Sequence, residues 1–408
     1  MQKESTRSET TNTLITLVLL VVTTSLTIMS LDLYAPSLPH LPDYFGTTTE
    51  MVKLTVSLNA LTYGAGTLVY GPLSERFGRK PILIGAICCA ALCCLFCTLA
   101  VSIEQLIIAR ILLGLALAAE GVLVYSIIND CFSGKDKVRA FAVWGAACAV
   151  IPIFSPILGA YIFVTFGWRA NFAILTMMAA ILTLLLYKYL EETATGKRAV
   201  SIKLTGHDYL RVLRSRAFLC YAVIQSTAVG YFVLFPTAVP FILANQFDKA
   251  PEFYGYYQGG IIFVFILGTL TTRALVKTLA AEQVLTLGTS LVITGCVLLA
   301  LVALFSPGSL PLLSVPLSLI AFGNAFLFTT IPPLAMDATE SPAGVSSAAL
   351  LTIQTTLGSL TSVTDSVLPE GDVRQFATIM GVVAVVAALA LAFKGKATRA
   401  PLLSTDAH

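Results

Sequence analysis

The chain has 408 residues, of which 57% are apolar and only 12% charged, with a formal net charge of +3. A soluble domain carries roughly 25% charged residues, so this composition belongs in a bilayer. The small net charge, without any long basic stripe, excludes a nucleic-acid partner.

The polar start, MQKESTRSETTN, leads into an apolar run with no small-residue cleavage pattern after it, so the first segment is expected to stay in the mature protein. A spanning helix needs about 20 mostly apolar residues. Six segments in the first half meet that length: 13–36, 51–73, 81–102, 105–130, 138–164 and 170–188. Six more follow at 217–245, 254–276, 283–305, 311–336, 343–364 and 375–393. The runs are continuous rather than alternating, which predicts helices and not a barrel.

Cytoplasmic loops should hold the Lys and Arg. With the N-terminus inside, all 25 basic residues fall in inner segments except five: Arg169, Lys249 and Arg374 in outer loops, and Lys53 and Arg110 within spans. The inner loop 337–342 lacks a basic residue, against the rule. The expected fold is an all-α membrane protein of twelve transmembrane helices in two six-helix bundles, 13–188 and 217–395, with both termini cytoplasmic. Tails occupy 1–12 and 396–408, and a basic linker, 189–216, contains Lys197, Arg198, Lys203, Arg211, Arg214 and Arg216. Equal sets of six suggest an internal duplication with a midplane site.

Five of the nine cysteines crowd into one apolar segment as Cys88, Cys89, Cys93, Cys94 and Cys97. Neighbours on one helix lack disulfide geometry, and His40, His207 and His408 stand far away, so these cysteines read as small apolar residues and no metal is expected.

Between spans 2 and 3 stands GPLSERFGRKPIL. A positive-inside loop explains its Arg and Lys, but not its glycines or its acid. Gly71 permits close helix approach, Gly78 suits a left-handed turn, and Glu75 can accept a charge-assisted bond from an arginine. This stretch resembles the loop signature of the major facilitator superfamily, G-x-L-a-D-R-x-G-R-K, at Gly71, Leu73, Glu75, Arg76, Gly78, Arg79 and Lys80, with Glu75 for the usual aspartate. That resemblance implies a conformational lock.

Span 4, LIIARILLGLALAAEG, supplies the Arg110 and Gly114 of drug and proton antiporters, with Leu113 where glutamine is frequent. Span 5, IPIFSPILGA, resembles their G-P-x-x-G-G motif at Pro152, Pro156 and Gly159, with Ser155 and Ala160 departing from it. LDLYAPSLP, in span 1, is similar to the D-M-Y-L-P-A-L-P of bicyclomycin-resistance exporters.

Three ionisable residues lie well inside spans, Asp32, Arg110 and Glu120, and each is a functional candidate because charge in a membrane is costly. At roughly 1.5 Å per residue, Asp32 lies about 28 Å along outward span 1 and Arg110 about 8 Å down inward span 4, so both occupy the outer half. Two readings stand: a charge pair, or Asp32 ending its helix near water while Arg110 snorkels. The resemblance implies proton and substrate binding at the span 1 acid, with the arginine responding to its charge. Glu120, about 22 Å inward, matches no family motif; it is a second proton site, a determinant of substrate preference or a carboxyl bonded to a neighbouring helix.

The second half offers aromatic and amide groups instead. Tyr221, Gln225, Phe232 and Phe235 share a face of span 7; Asn324, Phe328 and Gln354 come from spans 10 and 11. With Asn59 and Tyr63 of span 2 they are candidates to line an apolar cavity with a few polar anchors, ordinary packing being the alternative for each aromatic.

The expected function is proton-coupled antiport of small lipophilic, neutral or cationic compounds by alternating access. The expected setting is the bacterial inner membrane, with the protein a monomer that uses the proton gradient and no cofactor. An exporter of one endogenous product, such as a siderophore, and a non-transporting sensor remain alternatives. A membrane enzyme would need a nucleophile with its base or a metal site, which the loop-bound histidines do not provide.

Overall fold

The computed structural model describes residues 2–193, 209–339, 341, 343–368 and 372–397. Lys197, Arg198 and Lys203 of the linker, Glu340 and Pro342, and the tail after 397 lie outside the described residues. The long helices of the first half are α1 (Gln2–Asp32), α2 (Thr49–Phe77), α3 (Arg79–Leu99), α4 (Ile103–Cys131), α5 (Gly134–Phe166) and α6 (Trp168–Tyr189). Those of the second are α7 (Arg216–Phe241), α8 (Pro251–Leu275), α9 (Ala281–Phe305), α10 (Leu310–Asp337), α11 (Ala343–Val367) and α12 (Val373–Ala397).

Among the described residues, ten helices are long and apolar enough to cross a membrane. The long helices outside that set are α2 and α11. Each carries a line of Ser, Thr and charged residues, and the two pack on each other, which keeps those polar faces from lipid. Helix α1 starts at Gln2, where the sequence predicts a separate tail; once an apolar span has nucleated a helix, each further residue adds a bond cheaply. At its other end Pro36 and Pro39 stop the α ladder, and the chain turns through a 3-10 segment, Ala35–His40, into a short helix, Leu41–Phe45.

Packing repeats between the halves. In the first, α1 packs on α5 and α6, α2 on α4, and α3 on α4 and α6. In the second, α7 packs on α11 and α12, α8 on α10, and α9 on α10 and α12. Adding six to each number maps one set onto the other, so the duplication absent from the letters is present in the pairing. The halves meet along α2–α11 and α5–α8, which the same rule interchanges.

Close approach at these seams rests on missing side chains. A Cβ on Gly114 would strike the carbonyl oxygen of Asn59, and one on Gly159 the backbone of Leu33. A Cβ on Gly255 would stand 2.7 Å from the Ile157 Cα across the α5–α8 seam. Gly78, with φ +100°, breaks α2 from α3.

Candidate functional site

Two clusters, both centred on buried carboxyls, carry the chemistry. The first joins the halves at the end of the molecule where α2 begins, here called the Lys53 end. Asp32, the last residue of α1, accepts a hydrogen bond at 3.0 Å from Gln258 Nε2 of α8, and Gln258 in turn accepts from the Tyr254 hydroxyl. Lys53 Nζ lies 2.9 Å from Asp365 Oδ2 of α11, both side chains 1% exposed. Gln375 Nε2 holds the other carboxylate oxygen at 2.8 Å, and the Phe241 ring lies under the ammonium. Such an ion pair gives little net stability, but removing one partner strands a buried charge at about 3–5 kcal/mol. Ser57 and Ser366 meet at 2.9 Å, Thr67 and Thr352 at 2.8 Å, and Tyr161 and Tyr256 at 2.8 Å across the same seams.

Asp32 and Arg110 do not form the expected pair. Arg110 is fully buried and donates to the carbonyls of Ser30 at 2.8 Å and Thr55 at 3.1 Å, with the rings of Tyr34 and Phe172 against its guanidinium. The physical reason is local: α1 ends at Asp32, so the Ser30 carbonyl is among its orphaned acceptors, and a cation is favoured at a helix C-terminus. Asn59 steadies the arrangement by donating to the Arg110 carbonyl at 2.7 Å.

The second cluster surrounds Glu120 on α4, 3% exposed. Thr24 of α1 donates to Glu120 Oε1 at 2.5 Å, and the Trp144 indole of α5 donates to Thr24 Oγ1 at 2.8 Å. The Tyr63 hydroxyl of α2 lies against the same carboxyl. Among the described residues no basic side chain meets it.

At the opposite end, where Arg79 stands, the charges bind within each half. Arg79 Nε lies 3.3 Å from Asp130 Oδ2 and its Nη1 donates to Ser74 at 2.7 Å. Glu192 accepts from the backbone N–H groups of Arg79 and Lys80, filling the space that a side chain at Gly78 would need. Glu75, which the sequence suggests as an arginine's partner, is not that of Arg79; it is exposed and faces Tyr209, while its neighbour Ser74 is the residue turned to the arginine. Arg76 lies over Phe77 and Lys80 over Tyr187, while Gly71 sits beside Val122.

In α5, Pro156 and Gly159 are buried, and Pro152 stands one turn before Pro156. Pro156 packs on Gly255, and Gly159 on Leu33 beside Asp32, so the motif sets the close approach of α5 to both halves. The second-half candidates separate. Phe232 meets Phe265 and Phe328 with ring centroids 5.1 and 5.7 Å away, whereas Phe235 faces Tyr254 and Tyr257, with Tyr231 between the two groups. Gln225 and Asn324 are buried, and the Gln225 amide oxygen and both polar atoms of Asn324 have no hydrogen-bond partner among the described residues. Gln354 is half-buried on α11. Tyr221 lies apart, donating to Glu282 beneath Lys394.

Sequence reasoning missed Gln258, Asp365, Asp130, Glu192, Thr24 and Trp144 as partners. Asp365 alone gave a signal, an acid near a span end; the others are ordinary residues until the fold brings them to a charge.

A family model described as Major Facilitator Superfamily matches residues 20–363. The chloramphenicol resistance protein of Pseudomonas aeruginosa is 24% identical over 343 residues, 84% of this chain and 81% of that protein. The multidrug transporter MdfA of Edwardsiella ictaluri is 29% identical over 323 residues, 78% of each chain. Among solved structures, a D-xylose–proton symporter superposes with TM-score 0.74 at 15% identity, over 93% of this chain and 97% of its own. An inward-facing, unoccupied bacterial homologue of the human lysosomal transporter Spinster gives 0.73 at 13%, over 95% and 97%. Likeness at such identities shows the fold.

Proposed function

Because the chain belongs to the Major Facilitator Superfamily, we propose that it exports small lipophilic, neutral or cationic compounds from bacteria in exchange for protons, by alternating access. In this reading all twelve long helices cross the inner membrane and both termini face the cytoplasm. The Lys53 end is then the outer one, closed here by bonds between the halves. The protein works as a monomer on the proton gradient, without cofactor or nucleic acid.

The observation that carries this reading is the place of Asp32: an acid of one half bonded to an amide of the other. An ionised carboxyl accepts a stronger hydrogen bond than a neutral one, so loss of the proton from Asp32 favours the closed form of the outer end and protonation favours the parting of the halves. Glu120 offers a second carboxyl on the cytoplasmic side of Asp32 along the helices. Gln225 and Asn324 present unpaired polar atoms to a ligand in the second half, near the Phe232 cluster. The driving force suffices, since one charge crossing 100 mV is worth about 2.3 kcal/mol. Drug resistance and multidrug transport in the relatives' names support the substrate class.

The test is proton release from the purified protein on adding chloramphenicol, compared among wild type, Asp32→Asn and Glu120→Gln. Release in the wild type and its loss in Asp32→Asn are expected. Unchanged release in both variants overturns the proton sites, and no chloramphenicol uptake by inverted vesicles under a proton gradient overturns the exporter reading.

A further inference from the structure

The hydrogen bonds around Glu120 run in one direction. The Trp144 indole N–H donates to Thr24 Oγ1 at 2.8 Å, and the Thr24 hydroxyl then has its proton free to donate to Glu120 Oε1 at 2.5 Å. The chain crosses three helices, α5, α1 and α4, and ends on a carboxyl that among the described residues meets no cation. Trp144 itself is half-buried. Its ring meets Tyr125 edge-on at a centroid distance of 4.9 Å, and Tyr125 meets Phe141 at 5.3 Å. Tyr125 is 47% exposed, so the aromatic group has an open side. An indole at the end of a hydroxyl relay, half-open and flanked by a phenol, is a poor use of a core position, since a leucine would fill the space without a polar atom to satisfy.

We infer that Trp144 and Tyr125 form an aromatic platform on which the ring of a transported compound rests, and that the Trp144–Thr24 relay passes its occupancy to the Glu120 carboxyl. This deepens the exporter reading and rests on it. The ligand class follows from the lining: a flat or multi-ring aromatic body, neutral or bearing a cationic nitrogen, because ring faces attract cations. An anion finds no basic side chain there among the described residues and meets the Glu120 carboxyl instead.

The coupling is physical. Donation from the indole polarises the Thr24 hydroxyl and strengthens its bond to the carboxylate, as linked hydrogen bonds do. A ligand that seats against Trp144 and keeps the indole turned toward Thr24 favours the ionised carboxyl, so the proton leaves Glu120 as the ligand arrives. The titratable groups that face this carboxyl are Tyr63 from α2, Tyr125 from α4 and Cys148 from α5. All three are neutral in their protonated forms, so none supplies a fixed countercharge.

The chain has two tryptophans, and the other, Trp168, is buried among Tyr44, Phe45 and Phe172 away from this cluster. Trp168→Phe therefore leaves Trp144 as the sole indole fluorophore. In that background, tetraphenylphosphonium should change the emission saturably and release protons. Trp144→Phe, which keeps a ring but no N–H, should hold affinity within about threefold while losing most of the proton release. Thr24→Val should do the same, with Trp144 emission still responding to the probe. Trp144→Leu should weaken binding, read by equilibrium dialysis, tenfold or more. An emission unmoved by saturating bound probe overturns the platform, and wild-type proton release in folded, monodisperse Thr24→Val overturns the relay. If the probe moves Trp144 and releases protons but vesicles show no uptake, the exporter reading fails while the site stands. Uptake that persists unchanged in Trp144→Leu shows the reverse.

Discussion

The two ends of α2 use charge in opposite ways. At one end Lys53 reaches into the other half and meets Asp365 in a fully buried pair. At the other, Arg79 turns back on Asp130 of its own half, with 15% and 29% of the two side chains exposed. The first arrangement ties one half to the other; the second ties α3 to α4 within one half. The difference follows from water. A partly hydrated pair is weak and exchangeable, suited to bracing a unit, whereas a buried pair makes the joined form sharply dependent on both partners.

Breaking the buried pair should have the largest effect. Lys53→Met leaves Asp365 without a countercharge and should disfavour the joined Lys53 end by about 3–5 kcal/mol. Ser57→Cys, buried in the seam, reads this through peptide-resolved alkylation with an impermeant maleimide. It should be protected in the parent and reactive with Lys53→Met. In Lys53→Met/Asp365→Leu, where no charge is stranded, it should be protected again; equal protection throughout would sink the clamp.

Gly159→Val tests the steric side of the same end. Its Cβ would stand 2.6 Å from the Leu33 Cα, and overpacking of this kind costs about 1–3 kcal/mol. Thermal unfolding should fall and Asp32 should lose its register with Gln258. At the opposite end, Asp130→Asn should lower stability by only about 0.2–1 kcal/mol, with differential proteolysis showing α3 and α4 loosening within the first half. Smallest of all, Arg139→Gln removes an ion pair with Asp136 whose side chains are 80% and 74% exposed; unfolding should not move measurably. If Asp130→Asn exceeded Lys53→Met, the division of labour between the ends would be wrong.

These outcomes depend on partners that sequence did not disclose. Helix positions were legible because a long apolar run is a local property, and Asp32, Arg110 and Glu120 stood out because charge is rare in such runs. Their partners come from the fold. Gln258 lies 226 positions from Asp32 and Asp365 more than 300 from Lys53, and nothing in either stretch marks the match. Arg110 shows a second limit: opposite charges at equal depth suggested a pair, but the end of α1 presented carbonyls nearer to hand. Tyr221 shows a third, since a shared helix face placed it with Phe232, yet α9 and α12 cover that end of the face.

The serine and threonine seam between α2 and α11 bears on speed rather than affinity. The four hydroxyls that pair across it each also hold a carbonyl of their own helix: Ser57 with Lys53, Ser366 with Ser362, Thr67 with Gly64 and Thr352 with Ala348. When the helices separate, none of these four is orphaned, because each keeps its carbonyl and admits a water where its counterpart stood. Such a seam resembles a resealable closure: it sets alignment on each return but adds little to the barrier, so the turnover rate falls to the ion pair and the carboxyls.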